Sequence, residues 1–184
     1  MKAALSSTLA ILIFGVFTPL FSADEYPADR RWVASPDSRH LLTFTGDDPT
    51  LPDAFTIQDA SGKMLFSSRD CLELREVLNY EPQHVLWSPD GRAVAFAAGF
   101  SKDLRTYILV RSDAVFVLVP APGIADGFDN PWILPTEWLK GGVMRVKISG
   151  PHAGKAGDYG YQGEARLKLT FKPPKCEKTF ERVK

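Results

Sequence analysis

Residues 32–66 and 85–119 are two copies of one segment, aligned without a gap at an offset of 53. Ser35-Pro36-Asp37 falls on Ser88-Pro89-Asp90, Arg39 on Arg92 and Gly46 on Gly99. The apolar positions recur with the turn residues. Leu41 and Thr43 fall on Val94 and Phe96, Phe55 and Ile57 on Ile108 and Val110, Met64 and Phe66 on Val117 and Val119. A repeat that carries turns and alternating apolar residues together is a repeat of supersecondary structure, which restricts the fold to copies of one small unit packed on each other.

Each copy reads as a four-stranded antiparallel meander, so the fold class expected is all-β. Trp32–Ala34 and Val85–Trp87 are short first strands, followed by the Ser-Pro-Asp turn with proline at a position whose φ suits a type I turn. His40–Thr45 and Ala93–Ala98 are second strands. Phe55–Asp59 with Met64–Ser67, and Tyr107–Arg111 with Val115–Val119, are the third and fourth. A third, degenerate copy is expected over about 131–172, from Trp132–Leu134, Val143–Ser149 and Arg166–Phe171; the alternative is a plain hairpin packed on the first two copies. Leu72, Leu74, Val77 and Leu78 suit a short helix as well as a strand, and Pro82 is expected to end either. The charged tail 173–184 is expected to fray unless a disulfide ties it down.

The run Trp87-Ser88-Pro89-Asp90-Gly91-Arg92-Ala93-Val94-Ala95-Phe96, with Thr106-Tyr107-Ile108-Leu109-Val110 after it, resembles the blade motif of TolB-type, WD-repeat-like β-propellers. The first copy is similar without the glycine; the third barely matches. The resemblance covers about 90 residues and implies blade-like meanders and a role in binding other macromolecules. Propellers take about four to eight blades, and this chain holds three at most. The copies are therefore expected to stack as an incomplete propeller or a sandwich-like body, or to be completed by another chain in an oligomer.

The amino terminus reads as an export signal: Lys2, an apolar stretch from Leu9 to Phe17, the helix breaker Pro19, and small Ser22-Ala23 for cleavage. An uncleaved anchor is the alternative, since Phe21 is bulky for its place. Residues 1–23 are thus assigned to the signal and 24–184 to one domain, periplasmic or secreted, with no stable membrane insertion after cleavage. Formal charge is zero over the chain, which argues against nucleic acid and against bulk attraction to an anionic membrane, while leaving local patches open. Cys71 and Cys176 are the two cysteines, and in an oxidising compartment they are expected to pair.

No reaction is identified by these residues, and no cofactor or metal is expected. The histidines are His40, His84 and His152, and no Gly-x-Ser-x-Gly elbow accompanies them. His40 and His84 read as packed or surface residues. Gly150-Pro151-His152-Ala153-Gly154-Lys155 fails as a phosphate loop, with three residues between its glycines and Ala156 where Ser or Thr would bind magnesium. Asp47-Asp48 with Asp53, and Asp126–Asn130, offer oxygen ligands but follow no calcium-loop spacing, and they read as acidic surface turns. The four tryptophans read as core.

The segments 46–53, 99–105 and 150–163 hold the same place in their copies, between second and third strands. On one surface they would combine Asp47, Asp48, Phe100, Lys102, His152, Lys155, Tyr159 and Tyr161, a mixture of aromatic and charged groups suited to a protein partner. The reading is an exported, non-enzymatic binding module for a protein of the envelope or extracellular space. The alternatives are a secreted inhibitor or immunity protein blocking an enzyme, and a small hydrolase or carbohydrate-active enzyme.

Overall fold

A computed structural model describes residues 32–47, 52–75, 77, 79–100, 103–128, 130–151 and 159–184. Residues 1–31, on which the expected export signal and mature start fall, lie outside them. Twelve strands among the described residues form three four-stranded antiparallel meanders. The first is β1 (Trp32–Ala34), β2 (His40–Thr45), β3 (Ala54–Asp59) and β4 (Met64–Ser67). The second is β5 (Asn79–Trp87), β6 (Ala93–Phe100), β7 (Asp103–Ser112) and β8 (Val115–Val119). The third is β9 (Trp132–Leu139), β10 (Val143–Pro151), β11 (Tyr159–Phe171) and β12 (Pro174–Val183). Among the described residues no closed barrel forms. The second and third meanders join into one sheet through a parallel bridge, Leu104 to Trp132, reinforced by Thr106 Oγ1 donating to the Ile133 carbonyl at 2.6 Å.

The repeat holds at the level of single hydrogen bonds. Ser35 Oγ donates to Asp37 Oδ1 (2.6 Å) and accepts from the His40 amide (3.0 Å). Ser88 Oγ donates to Asp90 Oδ1 (2.7 Å) and accepts from the Ala93 amide (2.9 Å). The fourth turn residue is left-handed in both copies, Ser38 at φ 57° and Gly91 at φ 66°. Glycine takes that conformation freely, whereas Ser38 does so at some cost.

The gapless offset fails at one strand. Leu42 pairs with Ile57, while its counterpart Ala95 pairs with Ile108, so the third strand slips by two residues between copies. An even slip keeps every side chain on its own face, which is why the apolar pattern still aligns. Phe55 is thus matched by Thr106, and Ile57 by Ile108.

Two core layers separate the three meanders. Phe44, Phe55 and Leu65 of the first meet Tyr80, Trp87, Val94 and Phe96 of the second. Ala93, Ala95 and Ile108 of the second meet Met144, Val146, Ile148, Leu167 and Cys176 of the third. The second meander is covered on both faces, so Ala93–Gly99 is buried throughout and reads as a continuous apolar run. Small alanines on one face of β6 let the third meander approach closely. The first and third meanders each keep a wetter outer face, as in the alternation of β2.

The tryptophans tie neighbouring meanders together. Trp87 Nε1 donates to the Val33 carbonyl (3.1 Å), and Trp138 Nε1 donates to the Leu86 carbonyl (3.2 Å). Leu86 is the repeat equivalent of Val33, so the same contact recurs one meander further on. Trp32 departs from the core reading, with about half its surface (52%) exposed.

Three further expectations are corrected. The tail does not fray: β12 pairs with β11 from Gly163–Val183 to Phe171–Pro174. Residues 71–82 resolve into both options, a helical turn at Leu72–Arg75 and then β5. Pro82 does not end the strand, because it sits where the register breaks between Glu81 and Val85 and no ladder bond is asked of it. The disulfide is not formed, and both cysteines are free. Cys176 lies in the core between the second and third meanders, while Cys71 packs at the margin of the core between the first and second. The second meander stands between them.

Candidate functional site

The strand ends flanking the three connections lie together at one end of the molecule. In the first meander, the Pro52 carbonyl accepts from the Tyr80 amide (3.4 Å). Tyr80 pairs with Ala98 and Asn79 with Gly99, at the end of β6. Across that hairpin, Leu104 bridges Trp132, and Trp132 pairs with Ser149 near the end of β10. The described ends of the three hairpins therefore lie side by side, above the two buried layers.

The individual residues distribute as follows. Asp47 is exposed just past β2. Asp48, Lys102, His152 and Lys155 lie outside the described residues. Phe100 closes β6 opposite Asp103 and Tyr159 opens β11 opposite Pro151; their side chains lie outside the description. The span 99–105 is therefore mostly strand, and so is the far part of 150–163.

Tyr161 is a correction. It lies in β11 and is only 9% exposed. It pairs with Gly150, where an added Cβ would stand 2.1 Å from the tyrosine oxygen, so the ring lies across the glycine. The Phe128 ring packs on it at 4.5 Å. The sequence shows an aromatic next to a glycine-rich stretch, and only the register reveals that the glycine makes room for the ring.

A cleft of about 520 Å³ opens on the flank, lined among others by Arg105, Tyr107, Pro120, Pro122 and Ile133. Arg105 is occupied there: Nε and Nη2 donate to the two oxygens of Asp103 (2.7 and 3.2 Å), and Nη1 donates to the Ile124 carbonyl (3.3 Å). Burial pushes the Tyr107 hydroxyl above its ordinary pKa and the Cys176 thiol up to about 11. A thiol so held is protonated near neutrality and a poor nucleophile.

His40 is only 4% exposed, stacked on Trp87 (ring centroids 5.8 Å apart) and edge-on to Phe116. Arg111 Nη1 lies 3.0 Å from its Nε2. Burial first, then the Arg111 charge, holds the imidazole below its ordinary pKa, and burial does the same for His84. The unfolded chain takes up protons near pH 6.5 that the folded one refuses. Stability is therefore full above that range and lost as pH falls through it, at up to about 1.4 kcal/mol per pH unit for each histidine until the folded pKa is reached. Urea unfolding at pH 7.5 and 5.5 checks this. His40→Phe should flatten the dependence, and equal stability of the parent at both pH values would contradict it.

No family model matches the chain, and no curated protein matches it. Among solved structures, the complex of the fission yeast SREBP–SCAP binding domains aligns over 98% of this chain at 13% identity, with a TM-score of 0.37. This chain spans 44% of the length of that one. A likeness at that score carries nothing about function.

Proposed function

We propose that the protein is an exported, non-enzymatic binding module that engages a protein partner through the end of the stack where its three hairpins emerge. The observation that supports it is the register path from Pro52 through Tyr80 and Leu104 to Ser149, which brings the strand ends flanking the three connections side by side on an all-β scaffold. Loops held this way commonly carry recognition, because the scaffold bears the folding and leaves their residues free to vary. Phe100 and Tyr159 stand at the mouths of two of the connections and supply aromatic groups of the kind that anchor protein interfaces. The meanders are read as propeller-like blades in an open stack, with the recurring tryptophan-to-carbonyl contact as the joint between successive blades.

The test is a double substitution, Phe100→Ala with Tyr159→Ala. Partner capture from the native envelope extract should weaken by about thirtyfold or more, since truncating even one hot-spot aromatic costs about 2 kcal/mol, and the melting temperature should barely move. Tyr161 is left out because it packs in the core. Unchanged capture by the folded double variant would overturn the assignment of the site.

A further inference from the structure

At the end opposite the hairpins, the turns before β6, between β7 and β8, and between β11 and β12 border an open crevice of about 650 Å³. Arg92, Arg111 and Lys172 bring three cations to its wall against the carboxylate of Asp113, with Phe171 and Pro174 forming an apolar side. In a chain of zero formal charge, this is a local concentration of positive charge.

The cations are held in different ways. Arg92 lies over the Phe171 ring, its Cζ 3.9 Å from the centroid, with Nε 3.4 Å from Asp90 Oδ2. Arg111 is half-buried and donates from Nε to the backbone carbonyl of Asp113 (3.3 Å), not to its carboxylate; Nη1 meets the His40 ring. Lys172 is exposed. Among the described residues, no carboxylate lies within ion-pair distance of Arg111 or Lys172. Arg111 thus carries its charge half-buried with no ion pair among the described residues, which favours an incoming anion. These two contacts hold the Arg111 guanidinium in place and use two of its five N–H groups, which leaves three for an oxyanion.

We propose that this crevice binds a small ligand through an oxyanion, a phosphoryl or carboxylate group held by Arg111 and Lys172 beside Arg92, with the ligand body against Phe171 and Pro174. The crevice volume falls in the range of small-molecule sites, roughly 300–1,000 Å³. The site is independent of the hairpin end and does not rest on the protein-binding reading.

The experiment is an NMR titration of the protein with inorganic pyrophosphate and with citrate at constant ionic strength. Saturable shifts at Arg92, Arg111 and Lys172 are expected, and the stronger probe identifies whether phosphoryl or carboxylate is preferred. The His40 ring should titrate at higher pH when the anion is bound, because the anion offsets the Arg111 charge; a merely structural role for Arg111 would not produce that. Lys172→Ala should weaken binding by about ten- to a hundredfold, as loss of one hydrogen bond to a charged group does, at unchanged melting temperature, while Lys172→Arg retains it. Arg111→Met should abolish binding, and if it fails to fold, Lys172→Ala and Lys172→Glu carry the test. The proposal is overturned if neither probe gives saturable shifts there below about 10 mM. It is equally overturned if Lys172→Ala leaves binding unchanged, or if only a long acidic peptide binds.

Discussion

Phe55→Ala is expected to lower the stability of the protein by about 3–5 kcal/mol, the range for emptying a large aromatic site in a core that cannot collapse around it. Phe55 is 1% exposed and is the hub of an aromatic cluster. Its ring lies 6.0 Å from Phe44 and 5.5 Å from Phe66 within the first meander, and 5.2 Å from Tyr80 and 4.9 Å from Phe96 of the second. Several of these pairs are tilted or edge-to-face, the arrangements ring quadrupoles favour, so the loss exceeds that of buried area alone. The layer below is β-sheet on both sides, and ladder hydrogen bonds resist the backbone shift that would fill the cavity. Urea unfolding measures the change. Phe180→Ala, at a partly exposed ring on the outer face of the third meander, serves as the comparison and should cost about 1 kcal/mol or less. A loss below about 1 kcal/mol for Phe55→Ala would mean that the first two meanders do not share a core.

Removing residues 174–184 should have a comparably large effect. The truncation deletes β12 and with it the ladder to β11 that runs from Phe171–Pro174 to Gly163–Val183. Even the last residue is paired, Lys184 and Gln162 exchanging both backbone hydrogen bonds at 2.9 and 3.0 Å. Cys176 leaves the core, so Leu167 and Leu169 lose a neighbour, and β11 becomes a bare edge open to association. The melting temperature should fall by roughly 10 °C or more, since each kcal/mol is worth about 2–4 °C at this size, with aggregation on heating. A shift of only a few degrees would show that the tail is peripheral.

The first two meanders were legible because turn chemistry and apolar alternation agreed. Ser35 and Ser88 each close the turn with their own hydroxyl, so the same residues that mark the repeat also build it. The last strand was not legible, because Pro174–Val183 is an edge strand with one buried residue, Cys176, and long charged side chains elsewhere. Such a strand is defined by the neighbour it pairs with and carries no period of its own. The two-residue slip of the third strand was invisible for the opposite reason, since an even slip leaves the pattern intact. The candidate site was legible as a place in the repeat and less so residue by residue. Tyr161 looked like a loop aromatic, and its burial depends on Gly150 standing opposite in a register no local pattern encodes. The disulfide expectation failed because pairing two cysteines by compartment takes no account of a whole meander lying between them.

The crevice proposed to bind an anion is built from residues that the sequence scatters over 80 positions, Arg92, Arg111 and Lys172. Each reads alone as an ordinary surface cation beside a turn. Their convergence follows from stacking the second meander against the third, and that is a tertiary fact.

The central claim, recognition of a protein at the hairpin end, is tested most directly by site-specific photo-crosslinking in the native extract. A photoreactive phenylalanine analogue at position 100 or 159 should give a discrete adduct of defined mass with one partner. The same group at Lys140, in the exposed turn at the other end of the third meander, should give none. Adducts from position 140 alone, with positions 100 and 159 silent in a folded protein, would contradict the account.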